Sequence, residues 1–305
     1  MRRLSDLIRP TRRALRTLGP ADREAAIQWM AARPATSAFL LGWIHQFGMP
    51  SLGKNRFFEI YVAEENDDWT AMILVVNGAL ISAVEGDKTH GQLLGELLKS
   101  RGYRIQTVVG PDAFIRSYIK HFCPENFVPR VNQAQCVMLR ERATPIEHVA
   151  YPPRWLRRAN QDDTDALIDA SLRMHAEEVQ QPNSPSDVTA LRRSAIHKIR
   201  SRRVWVYHDP STQELLFKAS MSLPTPVVVQ IEGVWTAPHA RGQGIARDCL
   251  AQILSTLHQE YAYLALTVGR ENAPAIALYE RLGFVRVCDW RTAYLDDANS
   301  DAHPT

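Results

Sequence analysis

The stretch that decides the fold is residues 230–246, QIEGVWTAPHARGQGIA. Residues 227–231, VVVQI, which lead into this stretch, are mostly β-branched, which favours a strand, and Pro238 cannot continue a strand ladder. From Ala246 onward the apolar residues recur at positions i, i+3, i+4 and i+7, which is the pattern of a helix with one buried face. The sequence therefore predicts a strand, a glycine-rich turn and a helix in direct succession.

The turn at residues 241–246, RGQGIA, has the chemistry of an anion site. The first N–H groups of a helix have no partner within the helix, and the helix dipole adds positive potential at the same end. Gly242 and Gly244 carry no Cβ, so a ligand can approach the backbone closely. A pyrophosphate is the expected guest, and Arg241 is expected either to contact it or to pack beneath the loop.

Two segments together resemble the GCN5-related N-acetyltransferases, the GNAT superfamily. Arg241, Gly244 and Ala246 match the signature Q/R-x-x-G-x-G/A, and residues 272–284, NAPAIALYERLGF, match N-x-x-A-x-x-x-Y-x-x-x-G-F. Both motifs stand in order at the spacing of the family. The resemblance implies a GNAT-like mixed α/β sheet flanked by helices, with acetyl-CoA as co-substrate. It extends to a bacterial subfamily that carries an extra N-terminal domain.

Two other phosphate-binding motifs match less well. A dinucleotide fingerprint would need its third glycine at position 247, which is Arg247. Residues 48–55, GMPSLGKN, are nearly a P-loop, but Asn55 replaces the Ser or Thr that ligates magnesium. A strand-like segment follows instead of a helix. Both alternatives are therefore weak.

The resemblance implies a set of contacts with acetyl-CoA. In the family, the strand before the turn splays from the next strand, and its backbone hydrogen-bonds the pantetheine amides; here the two sides are 234–236 and 265–268. Asn272 is expected to contact the pantetheine arm as well as to cap its helix. The expected contact residues are Val234, Trp235, Thr236, Arg241, Gly242, Gln243, Gly244, Ile245, Ala246 and Asn272. The side chain of Trp235 is expected either to line the acceptor site or to fill the core.

Acetyl transfer to an amine needs a base and an acid. By its place in the motif, Tyr279 is the candidate acid for the CoA sulfur, and simple packing is its alternative role. Glu232 is the candidate base, because a carboxylate inside an apolar strand is unusual; a paired structural carboxylate is the alternative. Glu177 and Glu178 are candidates for attracting a cationic amine, or else they form a solvated helix end.

Composition narrows the class of protein. The chain has 305 residues, 45% of them apolar and 23% charged, which predicts about two domains. A net charge of +3 does not demand nucleic acid or a membrane surface, and we see no apolar run for a membrane span or a secretory signal. The four cysteines lack metal-ligand spacing, so we expect reduced thiols, no metal and a cytoplasmic location.

The order of predicted elements repeats along the chain. Residues 14–142 predict a GNAT-like order that includes a hairpin at Asn77-Gly78. Where the glycine-rich turn should stand, residues 85–92 read EGDKTHGQ, and their acidic groups would repel a pyrophosphate. This first domain is therefore expected to be degenerate. The other predicted parts are a basic tail at 1–13, a linker at 143–154, the catalytic domain at 155–296 and a polar tail at 297–305.

The expected activity is transfer of an acetyl group from acetyl-CoA to a primary amine, of a small molecule or a protein, by direct attack in a ternary complex. The alternative is a non-catalytic acyl-CoA-binding sensor. Aminoacyl transfer from tRNA is a third possibility, for which the net charge of +3 gives little support. The motifs indicate the acetyl donor, but they do not indicate the acceptor or the oligomeric state.

Overall fold

The computed structural model describes residues 14–51, 57–66, 68–145, 155–179 and 185–295. The predicted tails at 1–13 and 297–305 lie outside these residues, and so does most of the predicted linker, 146–154. Among the described helices, none combines the length and the apolar character that crossing a membrane requires.

Strands and helices alternate through the first part of the chain. Their bounds are β1 (Ala14–Thr17), α1 (Arg23–Ala31), α2 (Pro34–Phe47), β2 (Glu59–Glu65), β3 (Asp68–Val76), β4 (Leu80–Glu85), α3 (Lys88–Ser100), β5 (Thr107–Pro111), α4 (Asp112–Phe122) and β6 (Val131–Glu141).

The same order returns in the second part. The bounds are β7 (Arg157–Arg158), α5 (Thr164–Val179), α6 (Pro185–Arg200), β8 (Val204–His208), β9 (Leu215–Met221), β10 (Val228–Thr236), α7 (Ile245–Leu257), β11 (Tyr263–Gly269), α8 (Ala273–Arg281) and β12 (Val285–Tyr294). The succession β-α-α-β-β-β-α-β-α-β therefore occurs twice, and the sequence predicted it apart from α2 and the single last strand.

The chain divides into two compact units whose limits differ from the predicted domains. Among the described residues, unit 1 comprises 14–40, 47–135 and 288–295, and unit 2 comprises 41–46 and 136–287. The last strand explains part of the difference. The second half of β12 pairs with β5, from Trp290 opposite Pro111 to Tyr294 opposite Thr107. The C-terminal strand thus completes the sheet of unit 1.

Unit 1 is built on a mixed sheet in which β1, β2, β3, β4, β5 and β12 are neighbours in that order. The predicted hairpin is confirmed: Val76 pairs with Leu80, and Gly78 in the turn has φ of 80°. Helices α3 and α4 pack together so closely that a Cβ on Gly91 would lie 2.2 Å from the Phe114 carbonyl oxygen.

Unit 2 contains the sheet order β6-β11-β10-β9-β8-β7. Its helices cover both faces of this sheet. On one face, α7 and α8 pack on a core that includes Phe217, Ile231 and Leu266. On the other face, Leu167 and Ala170 of α5 belong to a second cluster. Strand β10 lies between β11 and β9 in this sheet, and its C-terminal end pairs with β9 as far as Thr236.

Two predicted elements differ from the structure. Helix α2 was not predicted, because its apolar residues, such as Leu40, Leu41 and Ile44, are too dense to leave a clear amphipathic stripe. For residues 284–295 the sequence predicts two strands, 284–288 and 290–295, but this segment forms the single strand β12. Asp289 is polar without interrupting it, since a strand alternates its faces.

Candidate active site

The predicted glycine-rich turn connects the end of β10 to α7. Gly242 and Gly244 have φ of 78° and 84°, in the left-handed region that disfavours residues with a Cβ. Gly244 precedes the first residue of α7, and no side chain caps the helix there. The N–H groups of its first turn are therefore left to solvent or to a bound anion.

The turn is open on its outer side. Arg241, Gly242 and Gln243 are exposed, and a Cβ added to Gly242 would meet nothing within 4 Å. The Gln243 amide Nε2 donates to the His239 carbonyl oxygen at 3.0 Å, which bonds the turn to the residues that precede it. The shape of the turn thus leaves room for a phosphate group without any rearrangement.

Arg241 holds the turn in place. Its Nη2 donates to both carboxylate oxygens of Glu177 on α5, at 2.8 and 3.1 Å, and its Nε donates to the Thr236 carbonyl oxygen at 3.1 Å. Of the two roles expected for Arg241, packing against the loop is the one that the geometry favours. A second guanidinium, that of Arg247, would lie 3.5 Å from a Cβ on Gly244 and is paired with Asp248 at 2.7 Å, so each of these two arginines has a carboxylate partner.

Strands β10 and β11 part close to the predicted position. Their parallel pairing runs from Val228 opposite Tyr263 to Ile231 opposite Leu266, while β10 continues to Thr236 and β11 to Gly269. The opening therefore begins beside Thr267, later than the predicted side 265–268. Backbone groups at 234–236 and 267–269 face an opening in which an extended amide chain can add as a strand.

A bulge in β10 accompanies this opening. The register with β9 shifts between Glu232 and Trp235, and Gly233 has φ of 60°. Side chains of β9 satisfy the bulged carbonyl oxygens: Ser220 Oγ donates to Glu232 O at 3.0 Å, and Lys218 Nζ donates to Gly233 O at 3.1 Å. The bulge is thus a hydrogen-bonded feature of the sheet beside the opening.

Tyr279 lies on α8 with 7% of its surface exposed. Burial raises the pKa of its phenol well above the ordinary value, and the nearby Glu178 carboxylate raises this pKa further. The phenol therefore keeps its proton over the whole physiological range. Its ring packs edge-on against Phe284 at 6.0 Å between centroids, so Tyr279 is a packed residue whose protonated phenol is influenced by a carboxylate.

Both ends of α8 are fixed. Asn272 Oδ1 accepts from the Ala275 N–H at 3.2 Å, which confirms the predicted cap. At the other end, the buried Arg140 donates its Nε to the Leu282 carbonyl oxygen at 2.7 Å and its Nη2 to Thr144 O at 2.5 Å. These bonds set the position of α8 and hence of Tyr279.

The three carboxylates that were predicted as site residues, Glu232, Glu177 and Glu178, have different neighbours. Glu232 forms an ion pair with Lys198 of α6, with Nζ 2.6 Å from Oε1. Glu177 and Glu178 lie in the last turn of α5. Because Glu177 is engaged by Arg241, the prediction that it attracts an amine competes with this ion pair. Glu178 is close enough to Tyr279 and Lys218 to act on the pKa of both.

Trp235 fills the core. It is 7% exposed and belongs to the cluster beneath α5 that also contains Leu167 and Val206. Of the two roles expected for its side chain, the structure supports core packing. Among the described residues, no group of three or more His, Cys, Asp or Glu side chains is placed to hold a metal ion.

Lys218 was not predicted from the sequence as a residue of the site. It lies in β9, LLFKASM, every residue of which is buried, and it is itself 5% exposed. A lone charged residue inside an apolar strand was the available signal. The Gly233 bulge was also overlooked, since the segment 230–236 reads as an ordinary strand.

Helix α3 of unit 1 occupies the position that corresponds to α7. Asp87 caps it, since its Oδ1 accepts from the Thr89 N–H at 2.8 Å and from the His90 N–H at 3.1 Å. A carboxylate of the chain itself therefore takes the donors that an anion would need. This geometry supports the expectation that unit 1 does not bind acetyl-CoA.

Replacing Asp87 with alanine is expected to lower the free energy of unfolding by about 1 kcal/mol, because the cap of α3 is lost. Acetyl-CoA affinity is expected to stay unchanged. Urea denaturation and calorimetry measure the two quantities. Glu96→Ala, an exposed carboxylate on the same helix, is the control and should change stability by no more than about 0.5 kcal/mol. A change in acetyl-CoA affinity in Asp87→Ala would contradict the assignment.

Comparison with protein families identifies unit 2. Residues 188–284 match the model of the Acetyltransferase (GNAT) family, a segment that begins in α6 and ends just after α8. It contains the glycine-rich turn, the opening between β10 and β11, and Tyr279. The chain therefore carries a GNAT-family domain, as its motifs predicted.

Solved structures of low sequence identity share the fold. A GCN5-related N-acetyltransferase from Sphaerobacter thermophilus aligns with a TM-score of 0.55 and 16% identity, over 94% of this chain and 96% of that one. A Drosophila protein aligns with a TM-score of 0.57 and 12% identity, over 92% and 98%. No curated protein matches the sequence. The predicted GNAT-like mixed α/β fold is confirmed.

Proposed function

We propose that unit 2 transfers the acetyl group of acetyl-CoA to a primary amine by direct attack in a ternary complex. The observation that carries the proposal is the placement of three features in one unit: an uncapped helix behind a left-handed glycine turn, two strands that part beside it, and a buried phenol on the following helix. The turn suits a pyrophosphate, and the parted strands suit the pantetheine amides.

The bonds formed and broken define the roles of the residues. The amine nitrogen attacks the thioester carbonyl carbon, so that a C–N bond forms and the C–S bond breaks. Tyr279 is proposed to protonate the departing thiolate, since its phenol carries a proton at neutral pH. Glu232 is proposed to take the proton that the amine loses, directly or through water. The ion pair with Lys198 fixes the direction of the Glu232 carboxylate.

We place this reaction in the cytoplasm. None of the four cysteines of the chain, Cys123, Cys136, Cys249 and Cys288, all of which the structure describes, forms a disulfide bond, which is usual for proteins of reducing compartments.

The test is release of CoA from acetyl-CoA in the presence of a panel of primary amines, amino acids and peptides, with mass spectrometry of the products. The proposal expects release that depends on the amine and a product heavier by one acetyl group. An acyl-CoA sensor would instead bind acetyl-CoA and release no CoA with any acceptor.

Replacing Glu232 with glutamine is expected to lower turnover by about a hundredfold, because the amine loses its proton acceptor. The loss is expected to be largest at low pH, where the amine is most fully protonated. Steady-state kinetics between pH 6 and 10 measure it. Glu214→Gln, which changes an exposed carboxylate in the loop before β9, is the control.

A structural role for Glu232 would give a different result. The single variant leaves Lys198 without its partner, so the double variant Glu232→Gln with Lys198→Gln removes both charges. If the double variant recovers the wild-type rate, Glu232 acts only by pairing with Lys198. If turnover stays low in both variants, Glu232 is the base.

A further inference from the structure

A cavity of about 80 Å³ lies in unit 2 between the sheet and helices α5 and α6. Its walls carry polar groups among apolar ones; the polar residues are Ser171, Ser194, Lys198, Lys218 and Ser220. This volume has room for several water molecules, and so for a small polar group of a ligand. The cavity also touches Gly233, the bulged residue beside the opening between β10 and β11.

Lys218 contributes a buried positive charge to this cavity. Its Nζ donates to Gly233 O at 3.1 Å, and its other polar contact is the Met174 sulfur at 4.0 Å, a weak acceptor. Within the described part of the chain, no carboxylate lies in ion-pair distance of this Nζ. A buried ammonium with one carbonyl partner is costly to leave in that state, and an anion would satisfy it.

The other charged groups that the structure describes around the cavity do not provide the Lys218 ammonium with a counter-ion. The Glu232 carboxylate is paired with Lys198, and Arg203, 7% exposed, adds a further cation near Glu232. The Glu178 carboxylate forms no ion pair with Lys218 but acts on the pKa of both Lys218 and Tyr279. The described residues that line the cavity include two lysines, Lys198 and Lys218, and no carboxylate, so positive charge is in excess in its lining.

Of the three serine hydroxyl groups that line the cavity, two already donate a hydrogen bond within the described part of the protein and one does not. Ser171 Oγ donates to Leu167 O at 2.7 Å and Ser220 Oγ donates to Glu232 O at 3.0 Å, so both protons are engaged. The Ser194 hydroxyl also lines the cavity, and it has no hydrogen-bond partner among the described residues. Ser194 and Lys218 can thus donate to the two oxygens of one carboxylate.

We propose that this cavity binds the carboxylate of the acceptor, with Lys218 as its counter-ion, and that the acceptor is an amino acid rather than a plain amine. The inference rests on the proposed function. The carboxylate would lie against Lys218 and Ser194 and the amino group towards Glu178, next to the opening where the thioester is expected. A carboxylate suits the site better than a phosphate, because one ammonium and one hydroxyl are too few donors for a dianion.

The pH dependence of binding follows from the charge on Lys218. Burial lowers the pKa of Lys218 to about 8, and Lys198 lowers it too, while Glu178 and Glu232 act in the opposite direction. The ammonium is therefore present below pH 8 and is lost above it. Affinity for an amino acid is expected to fall as the pH rises through this value, whereas affinity for the corresponding amide is not expected to fall for this reason.

The experiment compares amino acids with their amides on the full-length protein. Glycine, L-alanine, L-leucine and L-methionine are each measured beside the amide, for calorimetric binding in the presence of CoA and for KM in CoA release. The wild type is expected to favour the acid by at least about tenfold, as for a charge-assisted hydrogen bond. Lys218→Met, which conserves volume, is expected to remove the preference by raising KM for the acid alone.

Two further variants separate binding from folding. Ser194→Ala removes a hydroxyl from the same cavity without disturbing the strand, and it is expected to raise KM for the acids a few-fold. Lys99→Met, a change of an exposed lysine in unit 1, is the control. It should change neither the KM for the amino acids nor the KM for their amides. Acetyl-CoA affinity is expected to be the same in all three variants.

The outcomes are distinguishable. If amides are acetylated as well as acids, or if Lys218→Met lowers turnover of both equally, the carboxylate site is refuted while acetyl transfer stands. If acids bind to the wild type and not to Lys218→Met but no acceptor releases CoA, the carboxylate site stands and the proposed function fails.

Discussion

Replacing Gly244 with tryptophan is expected to weaken acetyl-CoA binding by more than about a hundredfold. Gly244 has φ of 84° and precedes the first residue of α7, where a side chain would fill the space needed by a pyrophosphate. Loss of the contacts between an anion and two backbone N–H groups is enough for this effect, because each is worth about 1.5–3 kcal/mol. Isothermal calorimetry measures the affinity.

The control for Gly244 is a glycine with the same backbone conformation outside the site. Gly78 has φ of 80° and open space around it, and it lies in a hairpin turn of unit 1. Gly78→Trp imposes a similar backbone strain, about 1–2 kcal/mol, and should leave acetyl-CoA affinity unchanged. If both variants bind acetyl-CoA as the wild type does, the turn at 241–246 is not the phosphate site.

Replacing Tyr279 with phenylalanine is expected to lower turnover by at least about a hundredfold, with acetyl-CoA affinity nearly unchanged, because the thiolate loses its proton donor. In the wild type, the raised pKa of the phenol affects the pH dependence of turnover. The acid form persists as the pH rises, so kcat, measured at saturating acceptor, is expected not to fall on the alkaline side up to about pH 10. Steady-state kinetics measure both effects.

Tyr118 supplies the matched control for Tyr279. It is fully buried, its hydroxyl has no hydrogen-bond partner among the described residues, and its ring stacks on Phe122 at 5.0 Å. Tyr118→Phe removes a buried hydroxyl in unit 1 and should leave turnover intact. Full turnover in Tyr279→Phe would assign the proton to solvent or to another group.

Local sequence was sufficient for the turn, for α7 and for the cap of α8. Gly242, Gly244 and Asn272 act through backbone conformations and bonds to near neighbours, and such effects are encoded within a few residues. The order of strands and helices that occurs twice in the chain was largely predictable for the same reason. The pairing of β12 with β5 was not predictable, because the paired residues Trp290 and Pro111 are far apart in the chain. The residue pattern of a strand does not indicate which other strand it pairs with.

The polar contacts of the site depended on the cross-strand register. Lys218 reaches the bulge because Trp235 pairs with it across the ladder, and Lys198 meets Glu232 only once α6 is packed on the sheet. The sequence marked Glu232 as unusual without showing this partner. Glu177 was expected to meet a substrate, and the fold instead places it against Arg241.

Titration of the full-length protein with acetyl-CoA in a calorimeter tests the central claim most directly, since the claim assigns acetyl-CoA to unit 2 alone. The account predicts one acetyl-CoA per chain, lost in Gly244→Trp and retained in Asp87→Ala. Two molecules per chain would contradict the role given to Asp87, and no binding, or binding that Gly244→Trp leaves intact, would contradict the site itself.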